Sequence, residues 1–271
     1  MTEIKNTTFT GLGDLRKKIQ EREERNGERT SAKWFSTLLK ESHSGKLKIR
    51  FMQELSDEAE LYREDWGTYL GATEHCAPGR DGFKSRALDT TELEGQDWAQ
   101  EQHIENPKLG WGKKENFYIT VAVESFDIGT GEKVVIPAIL SRPIGSDFVS
   151  KIIEINDKSN GEGITGKTFW LTRTGQKTET KWTLEEELDP DKQIVFGDIA
   201  PYDLKETAVI HVKYDQQKAF YMRNADIDGA QRAADARAAK KNDESGASQT
   251  SNSGDSSGQP AAAGGKKRYS W

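Results

Sequence analysis

Asp97 and Gln100 are separated by two residues in EGQDWAQEQH, with His75 upstream in ATEHCAPG and Asp89 in SRALDTTE. Cysteines at 97 and 100 would turn that stretch into C-W-A-C, the paired-thiolate spacing that grips zinc. The frame of a metal knuckle is present without its sulfurs. One imidazole, two carboxylates and an amide make a hard, weak donor set for a structural metal. Cys76 and His103 lie near in sequence, but a Cys beside a His is more often incidental than a rebuilt site. The expectation is that no metal is bound and that packing and hydrogen bonds hold the loop. Trp98, Leu88 and Leu93 would fill it, and Arg80, Lys84 or Arg86 would pair with Asp89 and Asp97.

A second chemistry is written in cations interleaved with aromatics. Single strands of nucleic acid are held by cations that track phosphates and by ring faces that stack on bases. The chain places Lys33 beside Trp34 and Phe35, Lys113 and Lys114 before Phe117 and Tyr118, Trp170 near Arg173, and Lys181 beside Trp182. In GKLKIRFMQEL, Leu47, Ile49 and Phe51 alternate with Lys46, Lys48 and Arg50, so a strand would have a core face and a basic face. The candidate binding residues are Lys46, Lys48, Arg50, Lys84, Arg86, Lys113, Lys114, Tyr118, Arg173 and Trp182.

Enzyme chemistry is not expected. The four histidines have no partner spacing that stands out, and runs such as Glu185 to Glu187 read as solvated faces. The glycine-rich pieces GTGEK and GEGITGK read as turns, because the strand–loop–helix context of a phosphate loop is missing.

The elements that must position these residues follow from periodicity. NFYITVAVESF and EKVVIPAILS read as a hairpin, with Pro137 placing the second strand at an edge or bulge. IGSDFVSKIIEIN reads as a helix capped by Ser146 or Asp147. GKTFWLTRTG and KTETKWTLEEEL form a second hairpin, and PYDLKETAVIHV and YDQQKAFYM read as short helices. LGDLRKKIQEREERNG predicts a charged helix in a basic arm. About five strands with few helices predict a mainly β, α+β fold built on a small antiparallel barrel.

Composition bounds the rest. The chain has 271 residues, a net charge of −6, 34% hydrophobic and 31% charged residues. Residues 1–50 carry twelve Lys/Arg against seven Asp/Glu, whereas residues 51–223 carry twenty against thirty-two. Any nucleic-acid surface must therefore be local. One cysteine excludes an internal disulfide and fits a reducing compartment. No apolar run is long enough to span a membrane, and the first residues lack signal-peptide order. Low-complexity Ser/Gly/Ala sequence marks residues 224–271 as a disordered tail. That leaves a basic, partly helical arm at 1–32 and one domain at 33–223, with a loop subdomain at about 72–112.

Taken together, the frame of His75, Asp89, Asp97 and Gln100, with KLKIRFMQEL, RAL before Asp89, WAQEQH, NPKLGW and HVKYDQQKAFYM, resembles one family. It is similar to the single-stranded DNA-binding, helix-destabilising proteins of T-even-like phages, in their actinobacterial-phage branch. The resemblance spans roughly 32–222. It implies an oligonucleotide-binding (OB-fold) antiparallel barrel with an inserted zinc loop. It implies sequence-independent coating of single-stranded DNA in phage replication, recombination and repair, in the host cytoplasm. All three thiolate positions are lost here, so the zinc of the family is expected to be absent. The alternative is a phage interaction or scaffold protein that keeps the fold without binding DNA. Family tails recruit phage or host replication proteins through an acidic end, but here Lys266, Lys267, Arg268, Tyr269 and Trp271 make the tip basic and aromatic. The arm would support self-association, and no membrane partner is expected.

Overall fold

The run NFYITVAV is apolar at nearly every position, as a strand covered on both faces must be. In the computed structural model, which describes residues 32–42, 44–80, 82–126, 130–175 and 180–247, it forms the heart of the central strand. Among the described residues seven strands make one antiparallel sheet: β1 (Lys46–Phe51), β2 (Leu70–Cys76), β3 (Arg86–Leu88), β4 (Lys114–Phe126), β5 (Lys133–Pro143), β6 (Thr168–Thr174) and β7 (Lys181–Glu186). The path runs β3-β2-β4-β1-β6-β7, with β5 paired to β4. One edge of β4 is shared, its start pairing with β2 (Tyr118 opposite Leu70) and its middle with β1 (Val121 opposite Phe51). The other edge pairs with β5 from Asn116 to Phe126. The fold is a mixed α+β one, and the sheet does not close between β3 and β7.

Leu47, Ile49 and Phe51 of β1 and Phe169 and Leu171 of β6 point to one face. Helices α1 (Phe35–Glu41) and α4 (Asp147–Asp157) cover it through Phe35, Leu39, Phe148, Val149 and Ile152. Ser146 caps α4 by accepting the Val149 N–H, in agreement with its place before the apolar stripe.

The opposite face is also covered. Ile194 and Phe196 pack with Met52, Trp66 and Ala122. Leu204 of α5 (Leu204–Thr207) packs with Tyr118 and Ile139. The alternation expected of β1 is present, but its second face meets protein rather than solvent.

Three features depart from the sequence expectation. β2 and β3 bring the strands to seven. The loop after β3 carries α2 (Thr91–Glu94) and α3 (Trp98–Glu105), against which α6 (Tyr214–Met222) packs. Residues 227–247, expected within the disordered tail, form helix α7 (Ile227–Ala247). Ala-rich AQRAADARAAKK has high helix propensity although it has no apolar stripe. The expected arm helix and the basic tip lie outside the described residues. Among the described residues no helix is long and apolar enough to cross a membrane.

Candidate nucleic-acid interface and the His75 centre

His75, Asp89 and Asp97 do come together, with one donor atom of each lying within 4.8 Å of the others. β2 holds His75 fully buried, and its Nδ1 lies 2.6 Å from the Trp111 carbonyl oxygen. Asp97 is the N-cap of α3, with Oδ1 accepting the Gln100 N–H at 2.8 Å. Its Oδ2 accepts the Thr90 N–H at 3.1 Å, the Thr90 hydroxyl at 3.2 Å and Gln217 Nε2 at 3.3 Å. Asp89 accepts the Thr91 N–H and hydroxyl on Oδ1, and Lys113 Nζ sits 2.5 Å from Oδ2. Burial pushes the Asp89 carboxyl up, but hydrogen bonds from Lys113 and Thr91 and the Lys113 charge outweigh it and hold the group below the usual carboxylate range.

A structural zinc of the thiolate type does not fit this donor set. Among the described residues no sulfur faces it: Cys76 follows His75 in an extended strand, so the two point to opposite faces. Burial pushes the Cys76 thiol up, away from the thiolate form a metal needs. Both carboxylates already accept several hydrogen bonds, and Lys113 supplies a positive charge at Asp89. Among the described residues His75 Nε2 and Gln100 Oε1 are buried without a hydrogen-bond partner, and Nε2 faces Asp97 Oδ1 at 3.7 Å.

The loop is held differently from the sequence expectation. Trp98 does fill it, 5.3 Å from the Trp111 ring and 6.1 Å from that of Tyr221. Leu93 is exposed, and Leu88 packs with Tyr118 and Leu204 instead. The partner of Asp89 is Lys113, whereas Arg86 lies 3.4 Å from Glu74. Gln217 of α6 was missed altogether. It is fully buried, accepts the Trp98 N–H at 2.7 Å and donates to the Thr90 hydroxyl at 2.8 Å and the Val212 carbonyl at 3.1 Å.

Among the candidate binding residues, three must be corrected as outward-facing groups. Lys48 is 4% exposed, donates to the Lys192 carbonyl at 3.1 Å, and lies 3.7 Å from Glu124 and 3.9 Å from Glu187. Arg50 donates to the carbonyls of Thr165 at 2.7 Å and Ile194 at 2.8 Å and lies over the Phe196 ring. Tyr118 is fully buried and donates to Glu74 Oε2 at 2.5 Å; burial first, and then that bond, push its phenol up. Lys46 remains half-exposed over the Trp170 ring, 3.9 Å from Glu185. Lys84 and Lys114 are exposed, the latter beside Cys76.

Arg173 and Trp182 meet as register partners on β6 and β7, and with them comes a residue that sequence reasoning missed, Arg142 of β5. Its guanidinium lies 3.6 Å from the Trp182 ring centre, with Arg173 on the same indole at 6.0 Å. Arg142 Nε and Nη2 are buried and have no hydrogen-bond partner among the described residues. Burial, and then the Arg173 charge, lowers the Arg142 pKa to about 10. These residues line an open groove of about 390 Å³ with Lys40, Ser36 and Gly45, and among the described residues no carboxylate lines it. A signal was present in SRPIG, an arginine ending an apolar strand, but nothing local says that it lands on Trp182.

Residues 161–168 spell G-x-x-x-x-G-K-T, the letters of a phosphate-binding loop. The loop follows α4 and precedes β6, the reverse of the order that such a loop needs. Its amides are already used: Glu54, 1% exposed, accepts the N–H of Ile164 at 2.7 Å and of Thr165 at 2.9 Å. A resident carboxylate stands where a phosphate would sit.

No family model matches the chain, and neither a curated protein nor a solved structure matches it.

Proposed function

We propose that this protein binds single-stranded DNA without sequence preference, through phosphates and stacked bases at the Arg142–Trp182–Arg173 groove. One observation carries the reading: two guanidiniums share an indole in an open groove that no described carboxylate lines. Two like charges held together cost free energy that an incoming phosphate offsets, and a guanidinium fork matches phosphate geometry. Trp182 is partly exposed and Lys40 lines the same groove, so an aromatic ring for a base and a further cation for a second phosphate stand together. An oligonucleotide-binding type of architecture is in keeping with a long β4 shared by three strands and with β1 paired on both edges. The resemblance to phage helix-destabilising proteins adds the setting: coating of exposed strands during replication, recombination and repair in the host cytoplasm.

The test is a titration with oligo(dT), followed by tryptophan fluorescence, at low and moderate salt. Binding that weakens with salt at roughly −0.7 per phosphate neutralised is expected. Arg173→Glu should weaken it by roughly tenfold or more, through one phosphate released and one repulsive charge added. An absence of binding at low salt would favour an interaction protein that keeps the fold alone.

A further inference from the structure

A second groove, of about 420 Å³, opens where the loop after β2 meets α7. Four cations line it: Arg80 from that loop, Lys108 from the turn Pro107–Leu109, Lys114 from the start of β4, and Arg237 from α7. All four are exposed, and Arg80, Lys108 and Arg237 have no ion pair among the described residues. Among those residues one carboxylate, Asp226, lines the groove, and its Oδ1 is engaged by the Gly229 N–H at 2.8 Å, capping α7. In a body where acids outnumber bases, this clustering is local and one-signed.

The walls are fixed rather than loose. The Asp226 N–H donates to the Pro78 carbonyl at 2.9 Å, and Ala225 and Ile227 pack against the Trp111–Tyr221 cluster. α7 packs on the Pro107–Leu109 turn. Gly79 has φ +104° and comes so close to Asp226 that a Cβ would lie 2.6 Å from the Asp226 Cβ. Beside Leu109, much of the remaining lining is small, with Gly110, Gly229, Ala230 and Ala233. A small-residue floor under converging cations suits a phosphodiester backbone, which needs close approach and spaced positive charge but no shaped pocket.

We infer that this groove is a second phosphate-tracking surface for the same single strand, and that α7 is one of its walls rather than part of a tether. Such a surface rests on the single-strand reading of the Trp182 groove and extends it to a part of the chain where, among the described residues, no aromatic side chain lines the groove. Binding here should supply electrostatic affinity without stacking.

The experiment uses the full chain. Arg80→Glu/Arg237→Glu is titrated with oligo(dT) across salt, beside Arg173→Glu and beside Lys205→Glu, an exposed charge outside both grooves. The double variant should bind on the order of tenfold more weakly at low salt, with a slope shallower by roughly 0.7 for each phosphate no longer neutralised. Its tryptophan quenching at saturation should be unchanged, because the stacking groove is intact. Wild-type affinity and slope in the double variant, with Arg173→Glu impaired, would overturn this inference and leave the single-strand reading standing. An equal weakening in Lys205→Glu would assign the effect to long-range charge and overturn it as well. An effect confined to oligo(rU) would make the occupant RNA and also overturn the assignment. Failure of the wild type to bind oligo(dT) would remove both readings together. All four substituted positions are exposed, so the variants should fold, and unchanged melting temperatures would verify this.

Discussion

Lys48 and Arg50 show how a cation can be turned to structural use. Each sits on the polar side of an alternating strand, yet the segment around Lys192 to Phe196 lies over them and takes their hydrogen bonds. Arg50→Ala should therefore cost stability, about 1–3 kcal/mol for the carbonyls it leaves unpaired. Urea melts would show this, while the salt slope of oligo(dT) binding stays at the wild-type value. Gln217→Ala should cost a similar amount, about 1–3 kcal/mol, since it leaves the Trp98 N–H without its acceptor and removes one donor to the Thr90 hydroxyl. At the His75 centre, the engaged carboxylates and the Lys113 ammonium lead to an expected zinc content near zero and a melting temperature unmoved by chelator. About one zinc per chain in elemental analysis would sink that expectation. Asp89 also has a pH signature. Its folded pKa lies below the unfolded one, so its contribution is present above the ordinary carboxylate range and is lost as pH falls through the folded value. Asp89→Asn should flatten the acid limb of the stability profile below about pH 4.

At the level of elements, strongly patterned segments were legible. β1, β4 to β7 and α4 follow from alternation, apolar runs and a capping serine. β2, LGATEHC, was not, because Gly, Ala and a Glu give it little strand character of their own; pairing with β4 imposes the conformation. The frame of His75, Asp89 and Asp97 was legible as a set, since those residues converge. What holds them was not: Lys113 and Gln217 arrive from other elements, and no local spacing announces a hydrogen bond across 120 residues. α7 was hidden by its composition, which suits a solvated helix as well as a tail. Asp226→Ala should remove its cap and cost about 1 kcal/mol of helix stability. Circular dichroism would register the change as reduced helicity, with the sheet signal intact.

Across the whole molecule, charge is compartmentalised. Glu124 and Glu187 flank the buried Lys48, whereas among the described residues positive charge predominates in the Arg142–Arg173 groove and in the Arg80–Arg237 groove. Binding should therefore be salt-sensitive despite the net charge of −6. The basic, aromatic tip, Lys266 to Trp271, cannot imitate DNA phosphates. Its deletion should leave oligo(dT) affinity no tighter than that of the full chain and should weaken association with a partner protein or between subunits. Tighter binding after deletion, with association unaffected, would contradict this.

The reach of Gln217 also sets an order of assembly. The loop that it closes is made early in synthesis, but its buried Thr90 and Asp97 receive their last donors only when α6 has been made. Until then the nascent chain carries an unfinished subdomain, and the long separation between partners makes that closure a late step. A fragment ending before Gln217 should leave the ribosome with the Thr90–Asn106 stretch cut faster by proteases than it is in the full chain.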